Sequence, residues 1–320
     1  MRFATIGHFL DEIATEQFPE SWIHGNLLVS PELVVYGTTG YISALTLTAR
    51  QMMELPRDVV RKYILDAALF LEREYAVDVI QLGALTTSVT DGGTWMVQQR
   101  DFKGYFNHGD SYTAAVTCQA ALKALSLSQK DPSKQVLAIL GAYGVIGEAV
   151  SKILVPQFSH SILVGRIQEK FKNLERDLSG DFETTTELNT KKADIIVTAT
   201  SHPSALLQPE HLKSHAIVID VSQPPNLSSE VCRQRPDIHR IDGGYVDFPV
   251  KTPIPGMSTG KNFACIAEVI MQALEDEREH HVGSIDLTHL RKTEEWGKKY
   301  GFLLNELTNF GRTIRIPSSM

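Results

Sequence analysis

Apolar positions recur along the chain in two rhythms. From Pro56 to Tyr75, Val60, Ile64, Ala67, Ala68 and Leu71 fall three or four residues apart, the spacing of a helix that buries one face. Around it the rhythm is that of strands. LLVSPELVVYG and YISALTLT, within residues 27–48, are rich in β-formers and are separated by the turn-forming GTTG of 37–40, which predicts a hairpin. VDVIQLGALTTSV, residues 77–89, predicts a further strand. GDSYTAAVTCQAALKALSL, 109–127, predicts a long helix entered through Gly109 with Asp110 or Ser111 as its cap, placed to cross from one domain to the next.

Beyond it strands and helices alternate. Strands are expected at 136–140, 161–165, 193–200 and 216–221, with helices starting at Val145 and Gln168. This is the β-α-β order of an α/β, doubly wound parallel sheet of the Rossmann kind. After IDGGYVDF come the Pro-rich TPIPGMSTG, an apolar helix in KNFACIAEVIMQALE and a last helical stretch over 287–308; these are expected to pack back on the first domain. The expected organisation is an N-terminal α/β substrate domain with its linking helix (1–120), a Rossmann cofactor domain (121–248) and a C-terminal segment (249–320) carrying Cys265 and the closing helices.

Composition narrows the function. With 320 residues and 42% hydrophobic content the chain is long enough for two cores. A net charge of -7 and the absence of a basic tract interleaved with aromatics argue against a nucleic-acid partner. No stretch is a continuous membrane span, and Asp11 and Glu12 precede any long apolar run, so a cytoplasmic protein is expected. Cys118, Cys232 and Cys265 have no CxxC spacing, so neither a disulfide framework nor a zinc cluster is indicated. His280 and His281 follow the charged EDERE and read as a solvated helix end, so no metal is assigned.

In LGAYGVIGEAV, Gly141, Gly144 and Gly147 sit between a strand and a helix that begins at Val145. That context suits a turn, a close backbone approach to a pyrophosphate and tight helix packing. The next strand ends in Arg166 where an acid would select the ribose hydroxyl, so its guanidinium favours the 2′-phosphate of NADPH; a plain solvated charge is the alternative. Thr200 and Ser201 end the following strand at the ligand-binding edge, to border the nicotinamide or to cap the loop. Cys265 near a helix start, with Lys261 close by, has either a lowered thiol pKa and chemistry to do or a packing role among Phe263, Ile266, Val269 and Ile270. The basic groups Arg57, Arg61, Lys62 and Arg291, Lys292, Lys298, Lys299 read as solvated faces or as a dock for an acidic partner.

Taken together, the stretches IGHF, VDVIQLGALTTSV, GDSYTAAVTCQAA, VLAILGAYGVIGEAV with ILVGR, ADIIVTATSHP, IDGGYV and NFACIAEVIMQALE resemble the long-chain acyl-(acyl carrier protein) reductases, the aldehyde-forming enzymes of cyanobacterial alkane synthesis. The chain departs from that pattern at Asp110 and Tyr112 and in VSQPPN. The resemblance implies that Cys265, in its Phe-Ala-Cys-x-Ala-Glu setting, is the acyl-accepting nucleophile, that NADPH reduces the acyl-enzyme to a fatty aldehyde, and that the acyl group arrives on acyl carrier protein or CoA. It adds Gly83, Thr86 and Thr113 as candidate substrate contacts, and Leu45, Leu47, Leu69 and Ile80 as an acyl channel or as core. The alternative is an NADP-dependent oxidoreductase of shikimate-dehydrogenase or amino-acid type without a covalent intermediate, for which a Lys/Asp pair would come from Lys62 or Lys103 with Asp110.

Overall fold

The computed structural model describes residues 1–9, 18–250 and 260–317. Apart from Gly260, the Pro-rich stretch lies outside them, as do Asp11 and Glu12. Two compact units emerge, Met1–Tyr112 with Asp247–Leu303, and Thr113–Val246 with the residues after Leu303. The sequence pattern places boundaries after 120 and 248 and keeps 249–320 together.

Among the described residues, the first unit holds a seven-stranded mixed sheet. Phe3–Phe9 lies at its centre, parallel to Thr38–Thr48 on one side and to Val79–Leu82 on the other. The expected hairpin is present: Leu33–Val35 pairs antiparallel with Thr38–Thr48 through Tyr36 and Gly37, both at positive φ as so tight a turn requires. Helix Arg57–Tyr75 buries Val60, Ile64, Ala67, Ala68 and Leu71, the five positions its periodicity singles out. Helix Ala264–Leu274 packs on the two strands Phe3–Phe9 and Val79–Leu82, so this part of the C-terminal segment returns to the first unit as expected.

Three boundaries differ from the sequence pattern. The apolar run 77–89 is a strand only to Leu82; Ala84 takes φ 52° and Leu85–Val89 is a short buried helix. Apolar content alone does not separate a buried strand from a buried helix. Helix Asp110–Leu127 begins at Asp110, so Gly109 stands at the cap position instead of Asp110 or Ser111. The last helix is Leu287–Tyr300, stopped by Gly301 in the left-handed conformation, and a small hairpin of Thr308–Asn309 with Arg312–Thr313 follows.

The second unit is a six-stranded parallel sheet. In spatial order its strands are Phe182–Thr185, His160–Val164, Val136–Leu140, Ile195–Thr198, Ile217–Asp220 and His239–Asp242, that is 3-2-1-4-5-6, the doubly wound order. Phe182–Thr185 is an addition to the expected set; its polar FETT sequence suits an edge that water reaches. His239–Asp242 completes the other edge and carries Arg240, which is 2% exposed. The guanidinium meets Asp220 at 3.1 Å, Asp242 at 2.6 Å and the Asn309 side-chain oxygen at 3.0 Å, and Phe310 lies 4.0 Å over it. Asp242 also accepts the backbone N–H groups of Phe310 and Gly311, fastening the final hairpin to the sheet. A buried cation shared by two carboxylates is hard to remove without stranding them. Arg240→Met is therefore expected to lower stability by about 3–5 kcal/mol, measured as a lower urea midpoint of the second unit's transition; an unchanged midpoint would show that the network contributes nothing.

Candidate active site

The thiol of Cys265 owes its position to a close approach between two chain segments. Phe263, with extended backbone, is the N-cap of helix Ala264–Leu274, so Cys265 is the second helical residue instead of the third, and Asn262 is not the cap. The buried Asn262 side chain accepts from the N–H of Phe263. Gly109, at φ 71°, lies against Cys265: a Cβ there would sit 2.6 Å from the Cys265 Cα and 2.7 Å from its carbonyl oxygen. Only glycine has both the backbone freedom and the space.

The electrostatics around the sulfur are anionic. Burial first, then the carboxylates of Asp110 and Glu268, push the Cys265 thiol up to about 12. The lowered value expected from a helix start is thus reversed. A helix N-terminus stabilises an anion by about 1–2 kcal/mol at most, which is less than burial beside two carboxylates withdraws. Lys261 does not offset them, because its ammonium pairs with Asp247. Burial and Glu268 in turn raise Asp110 well above the usual carboxylate range.

Glu268 is itself fully buried, and burial alone would raise it. Its bond to His289, the nearby His108 and the N–H of Tyr112 hold it below the ordinary carboxylate value. The Tyr112 N–H donates at 2.7 Å and His289 Nε2 lies at 3.3 Å. His108, lowered to about 4 chiefly by burial, accepts the Asp110 N–H through Nδ1 at 3.0 Å, which leaves the proton on Nε2. His281 is not on a solvated helix end: its side chain is 11% exposed, its ring stacks on His289 at 3.5 Å, and burial lowers it to about 4. These partners come from segments remote in sequence. The signal for them was the acid at 268 inside an otherwise apolar helix, which demands donors wherever it is buried.

The glycine turn in the second unit fits a dinucleotide. Gly141 has φ 81°, and a Cβ on it would overlap the carbonyl of Ala199 at the end of the adjacent strand; one on Gly147 would lie 2.8 Å from the Gly141 carbonyl carbon. The chain therefore folds tightly at the point where the sheet order reverses, and helix Val145–Leu154 starts there with Gly144 as N-cap. Tyr143 crosses Gly165, and its hydroxyl accepts the N–H of Ile167. Arg166 is exposed and makes no ion pair among the described residues. The Thr200 hydroxyl donates to Asn226 at 2.7 Å and accepts the N–H of His202, so it is engaged in holding its loop; Ser201 follows it at the same edge.

Other expected contacts are distributed differently. Thr86 is buried and its hydroxyl donates to the carbonyl of Gly83 at 2.7 Å, so both stabilise the turn after Val79–Leu82. Thr113 belongs to the second unit, whereas Gly83 and Thr86 belong to the first. Leu45, Leu47, Leu69 and Ile80 join the hydrophobic core of the first unit. Lys62 is exposed and pairs with Asp66, and the exposed Lys103 donates to the Arg100 carbonyl, so neither forms a pair with the partly buried Asp110. Arg57 and Arg61 both pair with Asp91 and bond the Val89 carbonyl, fixing the loop after Leu85–Val89. Cys118 is in the core.

Comparison with known proteins agrees with the fold. The family model of shikimate/quinate 5-dehydrogenases matches residues 123–242. The long-chain acyl-[acyl-carrier-protein] reductase of Synechococcus elongatus is 28% identical over 287 residues, covering 83% of this chain and 77% of that protein. The aminotransferase PigE of a Serratia strain is 25% identical over 288 residues, 86% of this chain; the chain spans a third of that relative's length, 33%. The solved structure of L-tryptophan dehydrogenase from Nostoc punctiforme aligns over 95% of this chain and 80% of its own at 13% identity, with a TM-score of 0.43. No helix among the described residues is long and apolar enough to cross a membrane. Residues 123–242, which carry the doubly wound sheet and the glycine turn, are thus similar to the nicotinamide-cofactor domain of the shikimate/quinate 5-dehydrogenases.

Proposed function

We propose that this protein reduces a fatty acyl thioester, presented on acyl carrier protein or CoA, to the aldehyde with NADPH. The observation that carries this reading is the thiol of Cys265, held at a helix start against Gly109 and beside the carboxylates of Asp110 and Glu268. The similarity to the acyl-[acyl-carrier-protein] reductase across most of both chains supports it.

A thiol that holds its proton needs a base at the moment of attack. Asp110 suits that role, because the surroundings that raise the thiol also raise the carboxyl and make it a stronger base than an exposed aspartate. Cys265 Sγ attacks the thioester carbonyl, Asp110 takes the thiol proton, and the carrier leaves as a thiol, giving an acyl-Cys265 thioester. Gly141, Gly144, Val145, Gly147 and Arg166 would hold NADPH, whose chemistry would be the supply of hydride for that carbonyl carbon. With one proton added to the oxygen, the resulting hemithioacetal on Cys265 breaks its C–S bond, releases aldehyde and restores the thiol. Backbone N–H groups at the start of Ala264–Leu274 are donors for the developing oxyanion. Glu268 orients this machinery through Tyr112 and His289.

The thiol should therefore be unreactive to simple alkylation at neutral pH, its rate rising about tenfold per pH unit as thiolate forms. Asp110→Asn removes a negative neighbour, so the thiol pKa falls and alkylation at a given pH speeds up, while acylation by an acyl thioester slows by about 100-fold for want of a base. If both rates move together, Asp110 acts on the thiol only electrostatically.

Intact-mass measurement after incubation with palmitoyl-CoA, without NADPH, should show one acyl group on the protein and none on Cys265→Ser, which should still bind cofactor and fold. An acyl adduct that survives the substitution, or near wild-type aldehyde formation by it, would overturn the covalent mechanism.

For the cofactor, Arg166→Ala should weaken NADPH by about 1.5–3 kcal/mol, the value of a charge-assisted hydrogen bond, and leave NADH almost unchanged in fluorescence titrations. Equal losses would remove the 2′-phosphate assignment.

A further inference from the structure

Tyr143 stands inside the glycine turn, immediately before the N-cap Gly144 of helix Val145–Leu154, and reaches across to the end of the neighbouring strand His160–Val164. Its ring lies on Gly165, where a Cβ would come 2.9 Å from the Tyr143 Cδ1 and Cζ atoms. Its hydroxyl oxygen accepts the N–H of Ile167 at 2.9 Å. Arg166 is the residue between these two contacts. We propose that Tyr143 is a specificity-determining residue for the cofactor: its hydroxyl donates to the 2′-phosphate of NADPH, while its hold on Gly165 and Ile167 positions Arg166 for the same group.

A phenol oxygen that accepts one hydrogen bond still has its own hydrogen to give. Among the described residues that hydrogen meets no acceptor, and the side chain is only partly buried, so the donor is open to a ligand at this edge of the sheet. The donor is also fixed in advance. Fully buried Phe171 meets the Tyr143 ring edge-on, with centres 5.0 Å apart and planes at 76°, so little freedom is lost when a ligand arrives. The surrounding charge selects an anion. Lys170 Nζ lies 5.8 Å from the ring centre, and among the described residues neither it nor Arg166 is in an ion pair; Glu169, the acid of the same loop, is exposed and pairs with neither. A neutral ribose hydroxyl would gain little from two unpaired cations, whereas a phosphate gains charge-assisted bonds from them and from the phenol.

This role rests on the NADPH reading above, and one set of titrations separates the two failures. Binding of NADPH and of NADH is followed by nicotinamide fluorescence on the full-length wild-type protein, Tyr143→Phe and Arg166→Ala. Phenylalanine keeps the ring on Gly165 and Phe171, and water can replace the phenol as acceptor for the N–H of the exposed Ile167, so the urea midpoint should not move. Tyr143→Phe should weaken NADPH by about 10–100-fold, the range of a hydrogen bond to a charged group, and leave NADH within about twofold. Equal weakening of both cofactors would make Tyr143 a packing residue of the turn, and no weakening of either would leave its hydroxyl to water. Either result overturns the proposal, while selective loss of NADPH in Arg166→Ala would keep the 2′-phosphate reading. Wild-type protein that binds both cofactors alike would instead remove that reading, and the role of Tyr143 with it.

Discussion

A carboxylate buried inside an apolar helix sets the arrangement of the first unit. Glu268 is fully enclosed, and an ionised group in that position is tolerated only where donors converge on it. The N–H of Tyr112, in the first turn of Asp110–Leu127, and the imidazole of His289, on Leu287–Tyr300, supply them. Three helix segments are thereby tied at one point, one turn along from Cys265. The same charge adds to burial in keeping the thiol protonated and in making Asp110 hold protons more tightly. One group thus serves both structural satisfaction and chemical tuning.

In the second unit the governing constraint is steric. Reversal of strand order between Val136–Leu140 and Ile195–Thr198 opens the ligand edge, and the glycines let the chain turn against Ala199 without filling that edge with side chains. Just below it, Asp220 accepts from the Thr198 hydroxyl and from the N–H groups of Asn226 and Leu227, and Asn226 in turn engages Thr200. The loop geometry at Thr200 is inherited from this buried network.

Much of this organisation was legible where one physical cause dominates. The helical spacing of Val60 to Leu71 and the apolar strands of the cofactor unit are written locally, because burial of one helix face or of a central strand needs a repeating pattern. The edge strand Phe182–Thr185 was not, since none of its four side chains is fully buried and it carries no apolar run. The break at Ala84 depends on a left-handed residue that alanine rarely adopts, and nothing in the composition announces it. Cys265 itself was legible as a special position, but the sign of its pKa shift was not. That sign is decided first by burial and then by Asp110, more than a hundred and fifty residues earlier in the chain, and by Glu268, while local helix position accounts for only the smaller, opposing effect.

The contact of Gly109 with Cys265 makes the glycine and the backbone of a distant helix start into a single inherited character. With no room for a Cβ at 109, drift there displaces the first turn of the cysteine helix, and no replacement at 265 restores the fit, because the obstruction is to the backbone at 265 as well as to its side chain. A descendant lineage that abandoned the thiol would still be held to the glycine, because the backbone at 265 bars a Cβ at 109 whatever side chain stands there. The glycine should therefore be kept wherever this helix start is kept, and a relative with a bulky residue at 109 would mark a branch in which this corner of the fold has taken up other work.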